Sequence, residues 1–148
     1  MKPLDLTIAP PRSPYEELDG LIFLPRTIDK LRALLPGGDS GSYFMNGQIQ
    51  GMSGYLLERL GIAEADLLAA VAAAAADDEV AAWVRSHTDA SRYAEISATI
   101  RKIKPKHTAD PAYFAGIYAE TLALYPELER VLDIIEADDR RLFGTKGR

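Results

Sequence analysis

The sequence predicts a mostly α-helical protein: a compact orthogonal bundle of about six to eight short helices, with an extended N-terminal arm and a small β-hairpin over residues 42–51. Three observations carry this. Apolar residues recur at three- and four-residue spacing from Leu24 to Leu142, the period of helices that bury one face. Proline and glycine interrupt that pattern at Pro25, Pro36-Gly37-Gly38, Gly61, Pro105, Pro111 and Pro126, so no helix is long enough for an up-and-down four-helix barrel. Strand signals are few: Leu4, Leu6 and Ile8 alternate near the start, and Asn46-Gly47 marks one tight turn.

Residues 1–12 read as an extended arm, because Pro3, Pro10 and Pro11 disfavour a helix. Ser13-Pro14-Tyr15-Glu16 has the form of a capping box opening a short helix that Asp19-Gly20 ends. Pro25 suits the first turn of the next helix, whose Leu24, Ile28, Leu31 and Leu35 share a face. Asn46-Gly47 between Ser42–Met45 and Gln48–Gln50 predicts the hairpin, which must lie on helices to persist. Ser53 caps a helix carrying Leu56, Leu57 and Leu60, closed by Gly61. Leu67, Leu68 and Val71 seed the next, and Asp77-Asp78-Glu79 starts another with Val80, Trp83, Val84 and His87 on one face. Asp89 opens a helix with Tyr93, Ile96, Ile100 and Ile103, ending before Pro105. After Asp110-Pro111, Phe114, Ile117, Tyr118, Thr121, Leu122 and Tyr125 form the most regular stripe, and Leu128, Val131, Leu132, Ile135 and Leu142 the last. Residues 144–148 are expected to fray.

At 148 residues, with 47% hydrophobic side chains, the chain suits a single domain over 1–148 with a real core. Its net charge of −5 disfavours nucleic acid and anionic lipid surfaces as partners. The absence of cysteine excludes disulfides, thiolate metal sites and a cysteine nucleophile. No signal-peptide run and no membrane-length apolar stretch is present, so a cytoplasmic protein is expected. Charge is unevenly placed: residues 61–90 hold one basic and six acidic side chains, residues 91–108 five basic and one acidic. The basic patch is expected to answer the acidic region, within the chain or across a homodimer.

Pro11-Arg12-Ser13-Pro14, Gly20, Leu24-Pro25-Arg26, Ile28-Asp29-Lys30, Arg32, Gly38, Gly41 and Tyr43 resemble the small bacterial proteins of the domain of unknown function 5069 family. Leu60-Gly61-Ile62, Asp78-Glu79-Val80 and Trp83-Val84 continue the likeness, which covers Leu4 to about Arg85 and finds little to match beyond Thr88. The resemblance implies a small one-domain bacterial protein. It implies no activity and carries over no catalytic residue.

The candidate ligand site is Arg12, Arg26, Asp29, Lys30, Arg32 and Tyr43. Arg26 and Lys30 lie four apart on one helix face, and Asp29 is three from both Arg26 and Arg32. With Arg12 docked nearby, two guanidinium groups and an ammonium would converge on a carboxylate or phosphate, with Tyr43 or Tyr15 supplying a hydroxyl. The plainer reading is a solvated helix face whose Asp–Arg pair fixes the arm. Other features are weaker. The glycines of Gly37–Ser42 follow a helix and lack a Gly-Lys-Ser/Thr closure, so they read as helix stop and turn. His87 reads as a core-edge residue, and two separated histidines make no zinc site. Arg101, Lys102, Lys104, Lys106 and His107 are the one basic cluster, explained by a helix C-terminus. No metal or cofactor is implied. The expected function is a non-enzymatic binding or interaction module for a small anion or protein carboxylate. The alternative is an enzyme acting on an anionic metabolite with Tyr43 or His87 as proton donor. A deep pocket joining Arg26 to His87 or Tyr43 favours the enzyme; a flat or self-paired basic face favours the module.

Overall fold

A computed structural model describes residues 1–144, and its organising element is a helix buried on almost every side. Helix α1 (Leu24–Ala33) is buried at every position but Arg32, so its charged residues Arg26, Asp29 and Lys30 lie inside the protein. Around it, in chain order, are α2 (Met52–Leu60), α3 (Glu64–Ala73), α4 (Asp77–His87), α5 (Tyr93–Lys102), α6 (Pro111–Ile117), α7 (Ala119–Leu124) and α8 (Val131–Phe143). Single 3-10 turns precede α5 and α6. Leu24, Ile28 and Leu31 of α1, Leu67 and Val71 of α3, Ile100 of α5 and Leu132 of α8 are fully buried in one contiguous core. None of the described helices is long and apolar enough to cross a membrane.

The mostly α fold and its single small hairpin are present, but the hairpin lies elsewhere than residues 42–51. Strands β1 (Glu17–Leu18) and β2 (Leu21–Ile22) pair antiparallel, Glu17 opposite Ile22 and Leu18 opposite Leu21. Asp19 and Gly20 take φ of 54° and 82°, the two left-handed positions of a type I′ turn. Asp-Gly therefore turns a hairpin here and does not end a helix. The helix expected from Ser13 is absent. Ser13 makes one turn, accepting from the Tyr15 N–H at 3.2 Å, and then donates to Glu136 on α8 at 2.9 Å. At residues 42–51 there is only an isolated bridge between Asn46 and Gln50. Asn46 spends its side-chain oxygen on the Gly51 N–H at the start of α2, 3.0 Å away, and Gly47 has no positive φ.

The arm docks as expected, though not by simple alternation. Asp5 bridges Asp39 in parallel, with Leu6 N–H donating to the Asp39 carbonyl at 2.7 Å. Leu6 is buried while Ile8, past a turn, is 75% exposed. Gly38 lets the chain double back against α1, since a Cβ there would sit 2.5 Å from the Ala33 carbonyl oxygen. Two further expectations change. Ser53 is no cap: Gly51 precedes α2, and Ser53 is wholly buried inside it. The stripe from Phe114 to Tyr125 is two short helices broken at Tyr118, with Ile117 and Tyr125 exposed. The fraying expected at 144–148 falls, beyond Gly144, outside the described residues.

Candidate functional site

Phe23 sits just before α1 with φ of 71°, a left-handed conformation costly for a bulky side chain. Its N–H donates to the Glu16 carbonyl at the base of the hairpin, 3.1 Å away, which holds the bend. The bend lays the ring under the first turns of α1. The Lys30 ammonium lies 5.3 Å and the Arg26 guanidinium 5.9 Å from its centroid.

The six predicted residues separate into two groups on either side of α1. On one side Arg12 docks against α1 and closes on Asp29, its Nε and Nη2 donating at 3.1 and 3.0 Å and its backbone N–H at 2.8 Å. The same guanidinium reaches Asp77 of α4 and the Pro25 carbonyl. Arg32 completes the group 3.7 Å from Asp29 and also donates to the Lys2 carbonyl. The cations thus converge on the chain's own buried carboxylate, and Asp29 pairs with Arg12 and Arg32, not with Arg26. Tyr15 is elsewhere, bonded to Asp133.

On the other side Arg26 makes a two-point pair with Asp139 of α8, at 2.6 and 3.1 Å, and its Nη1 also donates to the Arg12 carbonyl. Tyr43 donates to the same Asp139 at 2.7 Å, and its ring stands 5.3 Å from the guanidinium. Burial, then Asp139, push the Tyr43 phenol above its usual range, so it stays a hydrogen donor. The buried Arg26 Nε has no hydrogen-bond partner, and the guanidinium lies within about 6 Å of both the Phe23 and Tyr43 ring centroids.

These groups form the floor of a cavity of about 250 Å³. Phe23, Val131 and Ile135 line its depth, and Phe44, Ile117 and Leu142, each more than a third exposed, mark its mouth. Asp138 and Arg141 of α8 line it too and pair with each other at 3.1 Å. Among the described residues, its charged lining is therefore two carboxylates matched to two guanidiniums, plus Lys30.

Lys30 has no carboxylate within ion-pair distance among the described residues. Its Nζ donates to the Phe44 carbonyl and to Ser53 Oγ, both at 3.0 Å. The hydroxyl directions are fixed. Thr27 gives its proton to the Phe23 carbonyl, so Ser53 must give its own to Thr27, and Ser53 faces Lys30 as an acceptor. Burial, reinforced by Arg26 and partly opposed by Asp139, draws the Lys30 amine down to about 7.

The remaining candidates do not join this site. His87 is exposed, stacked on Trp83 at 4.2 Å, its Nδ1 2.8 Å from the Trp83 carbonyl; it lines a separate cleft with Arg59 and Arg92. In the basic segment Arg101 pairs with Glu17 and Lys104 with Glu129, so these ion pairs do not answer the acidic 61–90 region. His107 accepts from the Lys104 N–H at 3.0 Å. No cluster of metal-ligating side chains exists among the described residues.

Asp138, Asp139 and Arg141 were absent from the sequence reading. The signal for Asp139 was present: it falls four after Ile135 and three before Leu142, an acid on an apolar stripe. Phe23 and Ser53 gave none, since both look like ordinary boundary residues.

Fold and site define a small, mostly helical protein with an internal ligand-sized cavity floored by a buried amine. The chain belongs to the family described as Domain of unknown function (DUF5069), which matches residues 8–141. The match runs far past Arg85 and includes most of α8, so the helix supplying Asp138 and Asp139 lies within the family match. No curated protein matches the chain.

Proposed function

We propose that this protein binds a small, largely apolar molecule with one carboxylate, seated in the cavity with its head at Lys30. The carrying observation is a buried amine without an ion-pair partner at the floor of a cavity whose other cations are already matched. With Lys30 protonated the lining carries one net positive charge, which a monoanion neutralises. Phe44, Ile117 and Leu142 at the mouth suit an apolar tail, and the volume, just under the usual range for drug-sized ligands, suits a small occupant. The ligand is a small anion, as the basic residues of α1 led us to expect, but of the site first assigned to it only Arg26, Lys30 and Tyr43 face it. Arg12, Asp29 and Arg32 serve the fold. The lack of cysteine and the family resemblance support a bacterial cytoplasmic setting.

The test is thermal unfolding with straight-chain carboxylates from butanoate to decanoate, because a ligand of the native state alone raises Tm. Octanoate is expected to raise Tm more than octanol or inorganic phosphate does. No rise with any carboxylate at millimolar concentration would refute the reading. A second reading, an enzyme on an anionic metabolite, draws support from the cavity joining Arg26 to Tyr43. Its proton donor is then Tyr43, not His87.

A further inference from the structure

We propose that Lys30 is also a nucleophile, which condenses with the carbonyl group of a small apolar aldehyde or ketone to form an imine inside the cavity. The proposal rests on the cavity being a ligand site and adds a reaction to it.

The geometry leaves the nitrogen one free direction. Two of its three outer positions point N–H groups at the Phe44 carbonyl and at Ser53 Oγ. Ser53 cannot donate back, because its proton is committed to Thr27. The third position is unused, and Lys30 lines the cavity. Most buried lysines are held as ammonium by a carboxylate; this one has none in reach, while Asp138 and Asp139 are occupied by Arg141 and Arg26. Without a charge on Lys30 the charged cavity lining is balanced. A displaced amine pKa of about 7 agrees with that, and leaves a large neutral fraction at neutral pH. The strained Phe23 turn that supports the site is a further mark of a position kept for function.

The step balances without a cofactor. The nitrogen lone pair forms a bond to the carbonyl carbon, and the carbonyl π pair moves to oxygen. A proton passes from nitrogen to that oxygen, giving a carbinolamine. A second proton, taken from solvent at the cavity mouth, lets the oxygen leave as water while the nitrogen pair forms C=N and the nitrogen keeps its remaining proton. Nothing is oxidised or reduced. A protonated imine keeps one N–H for the Phe44 carbonyl, and its charge lies over the Phe23 ring.

The experiment treats the full chain with limiting hexanal and cyanoborohydride at pH 7, then maps hexyl groups by mass spectrometry. Lys30 is expected to be labelled at least about tenfold faster than the exposed Lys102 and Lys106, which lie outside the cavity that would hold the aldehyde. Saturating octanoate should slow labelling at Lys30 and not at Lys102. A Lys30→Arg variant should lose the fast-labelled site and keep the slow ones. Label on Lys102 and Lys106 with none on Lys30 overturns the proposal. If octanoate still raises Tm in that case, only the reaction falls; if it does not, the binding reading falls with it.

Discussion

The two flanks of α1 carry similar charges and do different work. On the Arg12 flank, Asp29 is enclosed by two guanidiniums, one of which also reaches Asp77, and these charges match one another. On the Arg26 flank, Asp139 takes Arg26 and Tyr43, and Lys30 is left over beside an open space. Charge spacing along a helix therefore does not distinguish structure from function. What distinguishes them is whether the tertiary partners cancel the charge and fill the volume.

The comparison is broken most severely by removing its central acids. Asp139→Ala leaves Arg26, 3% exposed at its side chain, without a carboxylate, and should cost about 3–5 kcal/mol in urea unfolding. Asp29→Ala should cost less, because Arg12 and Arg32 are each 20% exposed and Arg12 keeps Asp77. An equal loss in the two variants would mean that the flanks are not energetically distinct.

A pH series sharpens the contrast. Lys30 titrates at about 7 in the folded protein and near its ordinary value when unfolded, so between those values the unfolded chain binds more protons. Stability should then rise with pH above about 7, by up to about 1.4 kcal/mol per unit. The charged and titratable groups that line the cavity with Lys30 are Arg26, Arg141, Asp138, Asp139, Tyr43 and Tyr118. The raised Tyr43 and Tyr118 phenols add the opposite slope only above about pH 10, where an unfolded tyrosine ionises. Lys30→Met should flatten the rise, as read from urea midpoints between pH 7 and pH 9. In the same window octanoate, which needs the ammonium, should bind about tenfold more weakly per pH unit.

The smallest effect belongs to Arg32. Its 3.7 Å contact with Asp29 is long and partly solvated, so Arg32→Ala should cost about 1 kcal/mol or less and leave octanoate affinity unchanged. A shift in affinity would mean that the flanks communicate.

Much of the fold was legible before any coordinates. Periodicity and breakers located α1 to α5 and α8 because apolar residues recur in them at helical spacing and Gly, Pro or acidic residues mark their boundaries. Failures came where one local signal served two structures. Asp19-Gly20 can end a helix or turn a hairpin, and only the pairing of Glu17 with Ile22 decides. Asn46-Gly47 can turn a hairpin, but the Asn46 side chain was claimed by Gly51. At the site, three of six predicted residues face the cavity. The helix wheel correctly put Arg26 and Lys30 on one face; burial of that face by Phe44, Ser53 and α8 is set by contacts between residues up to 113 apart, as in Arg26–Asp139.

That separation has a consequence for synthesis. Arg26 and Lys30 emerge early, yet the wall bearing Asp139 is built from the last described helix. A nascent or truncated chain lacking α8 would hold Arg26 uncompensated and a cavity without a side. A ligand of the proposed kind would therefore stabilise only molecules in which α8 has closed against α1.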